Sequence, residues 1–266
     1  MRKTQAFSLI VILAVVSLTF SFSKNRPAGD DSREEKIFFA GAGIVPHHLL
    51  AGELISDFFN RLSVQNPKTI ILVGPNHQEK GGIKPLTSLA DWETGLGKVE
   101  ANQNLIQRFV SLGLVEVNER VVSAEHSVSG LVPLIKDFLP KTSVFPLVLS
   151  GRMNLEEIET LAKELAKEVD KETVLVASVD FSHGLKSADA RQNDWETLEA
   201  MTNFDHRKLL SLGNDFLDSP PSIVFLLLVA QKRGWTNFEV LSRTDSAELI
   251  NDPIAETTSY FLIRYY

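Results

Sequence analysis

The sequence predicts an α/β fold with a mostly parallel central sheet and helices on both of its faces. Apolar runs of strand length alternate with amphipathic runs of helix length along most of the chain, as strand–helix–strand units require. One such run, Thr69–Val73, is apolar on both faces, which is typical of a central parallel strand. The chain has 266 residues, 44% of them hydrophobic, which is enough to bury the core of one large domain.

Each element has its own pattern. Short apolar runs predict strands at 37–40, 69–73, 144–149, 173–179, 239–241 and 260–264, with antiparallel pairing as one arrangement for the last two. Spaced apolar residues predict helices at about 49–62, 102–112, 131–139 and 154–169, and Asn154 with Glu157 resembles a capping box. Pro220–Pro221 begins a further helix that ends at Arg233, before Gly234, and is apolar all round, so we expect it to be buried.

The first residues have the pattern of a targeting segment. Arg2 and Lys3 precede an apolar run over residues 6–22, which is typical of a signal peptide and borderline in length for a membrane span. We therefore predict a signal peptide or N-terminal anchor at 1–23, a polar linker at 24–35 and one domain at 36–266. The domain is expected to be extracytoplasmic, with membrane contact only through an uncleaved N-terminal segment.

Composition excludes several kinds of function. The chain contains no cysteine, so disulfides, thiolate metal sites and a cysteine nucleophile are excluded, and any metal must bind nitrogen and oxygen atoms. It carries 27 basic and 34 acidic residues, a formal charge of -7, with no basic cluster in the region after the N-terminal segment. Nucleic acid is therefore not expected as a partner. A small-molecule ligand or substrate of unknown identity is expected instead.

Four histidines follow strands or extended segments. His47, His77 and His183 come after predicted strands, and His126 follows the short apolar pair Val121–Val122, which we interpret as extended. The carboxyl ends of parallel strands meet at one edge of an open sheet, where ligands bind. We expect these imidazoles to lie close together there, where they can bind a metal or carry protons.

Two acids adjoin these histidines. Asp180 and Glu125 can complete a two-histidine, one-carboxylate site or orient the ligands, although Asp180 has the alternative role of capping the following turn. The expected metal is iron, with zinc or copper as alternatives. His48 and His206 are interpreted as polar surface or capping residues, because His206 begins an ordinary amphipathic helix.

Five segments together resemble the Memo-like family, which includes the bacterial proteins called AmmeMemoRadiSam system protein B. They span nearly the whole chain after the N-terminal segment and occur in the family's order. The matching segments are IVPHHLLAGELI (44–55), ILVGPNH (71–77), DWETGLGKV (91–99), EHSV (125–128) and VASVDFSHG (176–184).

The resemblance implies a three-layer αβα sandwich like that of the class III extradiol, non-haem iron dioxygenases, with redox or dioxygenase-like chemistry. Carried over by position, it makes His47 and His77 the first two metal ligands. It makes His126, with Glu125 beside it, the acid–base candidate. The third ligand position falls at Ser182, where animal members have cysteine and the dioxygenases have glutamate.

Ser182 leaves three hypotheses open, because a serine hydroxyl is a poor ligand for a borderline divalent metal. In the first, Asp180 or His183 replaces it and the pocket is a metal-dependent, oxidoreductase-like site. In the second, the metal is lost and the histidines of a non-catalytic binding protein hold a polar small molecule. In the third, Ser182 is a hydrolytic nucleophile with His183 or His126 as its base, and His126 is preferred because adjacent residues rarely point at each other.

Overall fold

The computed structural model describes residues 38–266, which lie in one compact unit, Ile37–Tyr266. The predicted signal peptide or anchor at 1–23 and the linker at 24–35 fall outside the described residues. Among the described residues, no helix combines the length and the apolarity needed to cross a membrane.

The described part contains eleven strands, ten α-helices and one 3-10 helix, Leu49–Ala51. The strands are β1 (Ala42–Val45), β2 (Thr69–Pro75), β3 (Leu86–Thr87), β4 (Trp92–Thr94), β5 (Gly97–Val99), β6 (Glu116–Val117), β7 (Ser143–Leu149), β8 (Thr173–Ser178), β9 (His183–Leu185), β10 (Phe238–Asp245) and β11 (Thr257–Tyr265). The helices are α1 (Gly52–Ser63), α2 (Gln103–Ser111), α3 (Glu119–Ala124), α4 (His126–Ser129), α5 (Val132–Phe138), α6 (Leu155–Glu168), α7 (Ser187–Thr202), α8 (His206–Leu210), α9 (Pro220–Arg233) and α10 (Ser246–Leu249).

The central sheet has the strand order β10-β11-β1-β8-β2-β7-β3-β6, with β9 paired to β11. Its inner strands β1, β8, β2 and β7 run parallel, whereas β11 pairs antiparallel with both β1 and β10. The predicted α/β fold is therefore confirmed: the inner strands are parallel, the closing strands pair antiparallel, and the sheet as a whole is mixed. Because β8 lies between β1 and β2, the loops that follow these three strands leave the same edge of the sheet side by side.

Alternate residues of the inner strands supply two separate cores, which makes the three-layer sandwich. Ile71 and Val73 of β2 point to the core shared with α2, α6 and α9, while Ile70 and Leu72 point to the core shared with α1, α3 and α5. Helix α9 is buried over residues 221–230, as its apolar sequence predicts. Full burial of each large apolar side chain contributes about 1.5–3 kcal/mol, so α9 is a principal source of stability.

Helix α6 begins where the sequence predicts. Asn154 accepts a hydrogen bond from Glu157 N at 3.0 Å, and Glu157 Oε2 accepts one from Asn154 N at 2.9 Å. This reciprocal pair is the predicted capping box, which satisfies two backbone donors at the start of the helix.

Two predicted extended segments are wrong. The first strand is Ala42–Val45, and residues 38–40 of the predicted strand at 37–40 are not in a strand. Val121–Val122 lies within helix α3, because the side chain of Asn118 accepts from Val121 N and caps that helix. His126 accordingly reaches the site from the start of α4 rather than from the end of a strand.

The first strand contains glycine because α1 packs directly against it. A Cβ atom on Gly43 would lie 2.2 Å from Cζ of Phe58, a fully buried side chain of α1. The hydrophobic run at 37–40 predicted a strand there. The strand lies at Ala42–Val45 instead, where the close approach of Phe58 requires glycine at position 43.

Gly43→Ala is expected to destabilise the protein by about 1–3 kcal/mol, because the added methyl group forces Phe58 out of its position. Urea unfolding measures the change. Gly52→Ala is the matched control, since Gly52 begins α1 at φ -56 and a Cβ atom added there would have no neighbour within 4 Å. That control is expected to leave stability unchanged or raise it by about 0.4–1 kcal/mol. Equal effects in the two variants would contradict the packing explanation.

Candidate metal centre

Three predicted histidines converge at the carboxyl edge of the sheet. His47 follows β1, His77 follows β2, and His126 is the first residue of α4. The ring centroid of His77 lies 5.0 Å from that of His47 and 4.3 Å from that of His126. Each of the three offers a ring nitrogen, and these nitrogens lie within 4.8 Å of one another.

A close contact between α4 and β2 places His126 there. A Cβ atom on Gly74 would lie 2.6 Å from Ser127 Oγ, so the glycine allows the start of α4 to pack on the end of β2. The Ser127 hydroxyl donates to the carbonyl oxygen of Pro75 at 3.1 Å and fixes that contact. His126 thereby stands at the mouth of the site, with 59% of its side chain exposed.

His47 is buried at the base of the site. Its Nδ1 lies 3.2 Å from the carbonyl oxygen of Ser178, which can only accept, so Nδ1 carries the proton in this hydrogen bond. The other ring nitrogen, Nε2, lies 3.1 Å from Asp218 Oδ2 and 3.7 Å from Asp180 Oδ2. This second ring nitrogen thus faces two carboxylates.

Glu125 holds Nδ1 of His77, as the carbonyl oxygen of Ser178 holds Nδ1 of His47. Its Oε1 lies 2.7 Å from His77 Nδ1, and its Oε2 accepts a hydrogen bond from the backbone N of His77 at 3.0 Å. His77 Nε2 then lies 3.6 Å from Asp218 Oδ2. A carboxylate that holds the Nδ1 of a histidine is the usual outer partner of a metal ligand, and it leaves Nε2 for the ligand bond.

Asp218 is the site residue that the sequence analysis missed. It precedes α9, which packs on β2 and β8, and its backbone N donates to the carbonyl oxygen of Asp180 at 3.1 Å. Both of its carboxylate oxygens are buried; Oδ1 has no hydrogen-bond partner among the described residues, and Oδ2 faces the Nε2 atoms of His47 and His77. The feature of the sequence that could have pointed to Asp218 is an acidic residue two positions before a helix that is apolar on all sides.

Of the other predicted site residues, Asp180 lies in the site and Ser182 and His183 lie outside both groups of potential ligands. Asp180 joins His47 and Asp218 in a second group of potential metal ligands, and its Oδ1 accepts from the backbone N of His47 at 3.0 Å. The Ser182 hydroxyl is fully buried and donates to Asp194 Oδ1 at 2.8 Å, so its partner is an acid and not a histidine base. His183 is half-buried in β9, and its Nδ1 has no partner among the described residues.

The two remaining histidines lie elsewhere. His48 is exposed, and its Nδ1 lies 3.0 Å from the hydroxyl of Tyr260. His206 begins α8 and is half-buried away from the cluster. Neither belongs to the groups of potential metal ligands among residues 38–266.

The buried charges shift the pKa values of the site in opposite directions. Burial opposes protonation of His47, but Asp218 and Asp180 outweigh it and raise the pKa of His47. Burial likewise opposes protonation of His77, yet Asp218 and Glu125 raise its pKa to about 9. Burial and the neighbouring His77 and His47 lower the pKa of His126.

The pKa values of the two aspartates of the site also shift in opposite directions. Burial opposes ionisation of Asp218, but His47 and His77 hold its pKa below the usual range, whereas burial and the charge of Asp218 raise the pKa of Asp180. Without a bound cation the imidazolium groups therefore neutralise a buried carboxylate, and a metal would replace their protons. His126 is left neutral and able to accept a proton.

The fold and the site together define a three-layer αβα protein with a cluster of histidine and aspartate side chains at the carboxyl edge of its sheet. A sequence profile of the family described as Memo-like protein matches residues 17–259. The chain belongs to the Memo-like family, which confirms the resemblance seen in its motifs.

Individual relatives agree with this assignment. The chain is 26% identical over 234 residues to a MEMO1 family protein of Pyrobaculum aerophilum, covering 84% of this chain and 83% of that protein. It is 27% identical to one of Sulfurisphaera tokodaii over 68% of this chain, and 30% identical to one of Thermococcus onnurineus over 59%. The alignments span 65% and 57% of those two proteins, less than two thirds of their length.

A solved structure supports the fold. Uncharacterized protein JW3007 from Escherichia coli K12 superimposes with a TM-score of 0.55, covering 85% of this chain and all of that one. The sequence identity is 13%, so this likeness concerns the fold alone.

Proposed function

We propose that this pocket binds one divalent transition metal through Nε2 of His47, Nε2 of His77 and the carboxylate of Asp218. The observation that carries the proposal is the position of Asp218 Oδ2, 3.1 Å from one of these nitrogens and 3.6 Å from the other. Two imidazoles and one carboxylate, with further positions open, form the ligand set of non-haem iron sites.

The donors present fit such an ion. Both oxygens of Asp218 are buried, with Oδ2 facing the two Nε2 atoms and Oδ1 without a partner among the described residues, and a buried carboxylate is costly unless a cation faces it. The Nδ1 atoms of His47 and His77 are held by Ser178 and Glu125, which leaves Nε2 of each ring for a ligand bond. We favour iron, and zinc or copper suit the imidazoles as alternatives.

The remaining residues have supporting roles in this proposal. Glu125 and Asp180 orient the histidines, since each accepts a hydrogen bond from the backbone N of a proposed ligand. His126 stands at the mouth, adjacent to His77, and its lowered pKa suits it to accept a proton from a bound substrate. A divalent metal bound here would supply Lewis-acid or redox chemistry.

Metal analysis by mass spectrometry on the full chain, purified without a metal-affinity tag and reconstituted with Fe(II), Zn(II) or Cu(II), tests the proposal. We expect near-stoichiometric metal in the wild-type protein and its loss in the double variant His47→Ala/His77→Ala, which removes two of the three ligands. His206→Ala is the matched control, because it removes a histidine outside the pocket and should retain the metal. Unchanged metal content in the double variant would refute the site.

A second candidate function is a metal-free pocket that binds a polar small molecule. It is favoured by the charge balance, because His47 and His77 in their protonated forms already neutralise Asp218. Wild-type protein that stays free of metal after reconstitution with all three ions would support this function over the first.

A further inference from the structure

We propose that Asp194 and Arg243 are positioning residues for the metal site, acting from outside it through the hydroxyl of Ser182. This inference rests on the proposed metal-binding function. In this inference Ser182 connects the site to α7 through its hydroxyl. It is not the metal ligand that its position in the family motif implies.

The segment that contains Ser182 connects both carboxylates of the site. The carbonyl oxygen of Asp180 accepts from the backbone N of Asp218 at 3.1 Å, so a displacement of one aspartate is transmitted to the other. Phe181 N donates to the carbonyl oxygen of Ser259, and Ser259 N donates to that of Ser182, both at 2.9 Å. These backbone bonds hold one side of the segment against β11.

The side chain of Ser182 holds the other side. Its hydroxyl donates to Asp194 Oδ1 at 2.8 Å and lies 3.2 Å from the carbonyl oxygen of Ala190, both on α7. Ser182 is fully buried, so water cannot replace these partners when they are removed. The position of α7, together with that of β11, therefore determines where the Asp180–Ser182 segment lies.

A buried ion pair fixes Asp194 in turn. Its other oxygen, Oδ2, lies 3.2 Å from Nη2 of Arg243, and Nη1 of the same guanidinium lies 3.3 Å from Asp245 Oδ2. Only 4% of the Asp194 side chain and none of the Asp245 side chain is exposed. The planar guanidinium joins α7 to β10 at a defined angle, which a flexible side chain could not do.

A purely structural role would also explain a buried ion pair, so the test needs a signal from the metal itself. Co(II) serves as the probe, because its visible absorption bands respond to the arrangement of ligands around the ion. Full-length wild-type protein, Ser182→Ala and Asp194→Asn are titrated with Co(II), and their unfolding is measured in parallel. We expect both variants to bind Co(II) roughly 10–100-fold more weakly and to show shifted absorption bands, as when outer partners of metal ligands are removed.

The control is Asn102→Ala. It removes the cap of α2 and a hydrogen bond to Thr69 Oγ1, at the start of β2 and so at the opposite end of the strands from the site. This variant loses stability, but its Co(II) affinity and spectrum should match those of wild type. Ser182→Ala removes a single oxygen atom, so it provides the test even where Asp194→Asn does not fold.

The outcomes separate this inference from the function on which it rests. If the wild-type protein binds Co(II) and Ser182→Ala has the same affinity and spectrum, the positioning role is refuted and the metal site stands. If Asn102→Ala weakens Co(II) binding as much as Ser182→Ala does, general loss of stability is the cause and the positioning role is again refuted. If the wild-type protein binds no Co(II), the metal site and this inference both fail.

Discussion

Asp218→Asn is expected to weaken metal binding by more than the roughly 100-fold that marks the upper end for outer partners of metal ligands. The substitution keeps the size of the side chain and removes its charge, so the loss would report a direct ligand bond. Asp218 Oδ2 lies within 4 Å of the Nε2 atoms of both histidines, and no other carboxylate oxygen in the described residues does. Titration with Fe(II) under anaerobic conditions measures the affinity.

Asp180→Asn is the matched comparison for this prediction. Asp180 Oδ2 is farther from His47 Nε2, at 3.7 Å, and its Oδ1 already accepts a backbone hydrogen bond. We expect its loss to cost only about 10–100-fold, as for a group that orients a ligand. A larger effect from Asp180→Asn than from Asp218→Asn would exchange the roles of the two acids and contradict the proposed ligand set.

The positions of His47 and His77 were predictable because they follow directly from sheet geometry. Each comes two residues after a parallel strand, and neighbouring parallel strands must end at the same edge. The strand Thr69–Pro75 is apolar on both faces, so its residues indicated a central strand of a parallel sheet. Local pattern and one topological rule therefore sufficed for His77, whereas the strand before His47 was predicted at 37–40 and lies at Ala42–Val45.

Asp218 could not be placed by the same reasoning. It precedes a helix instead of following a strand, and it meets His47 only because α9 packs on β2 and β8 with its start at their carboxyl edge. No rule of sequence spacing links the two residues, which lie 171 positions apart in the chain (218 - 47). The contact depends on the face of the sheet that α9 covers, which hydrophobicity leaves open because the helix is apolar all round.

For Ser182 the sequence motif identified the residue but could not show where its side chain points. The motif DFSH places Ser182 next to the site, yet its hydroxyl points to α7 and is bound by Asp194. Side chains of adjacent residues in an extended segment point to opposite sides. Which side faces the pocket is decided by the pairing of β11 with this segment, a contact from the end of the chain.

Arg243→Met is expected to lower the free energy of unfolding by about 3–5 kcal/mol, because it leaves two buried carboxylates without their cation. Methionine keeps an unbranched apolar side chain in place of the arginine methylene groups, so the change removes chiefly the guanidinium with its charge and its donors. Arg243 contacts Asp194 Oδ2 at 3.2 Å and Asp245 Oδ2 at 3.3 Å, and Asp245 also caps α10 by accepting from Glu248 N at 2.9 Å. Urea unfolding monitored by far-UV circular dichroism measures the loss.

The control is an ion pair with the same chemistry on the surface. Arg61 Nε lies 2.9 Å from Asp57 Oδ2 on α1, with 46% and 40% of the two side chains exposed. Because water solvates both groups there, Arg61→Met should cost only about 0.3–0.5 kcal/mol. A loss for Arg243→Met as small as that of the control would mean that Asp194 and Asp245 do not depend on the guanidinium. The connection from β10 through α7 to Ser182 would then lack the rigidity that a positioning role requires.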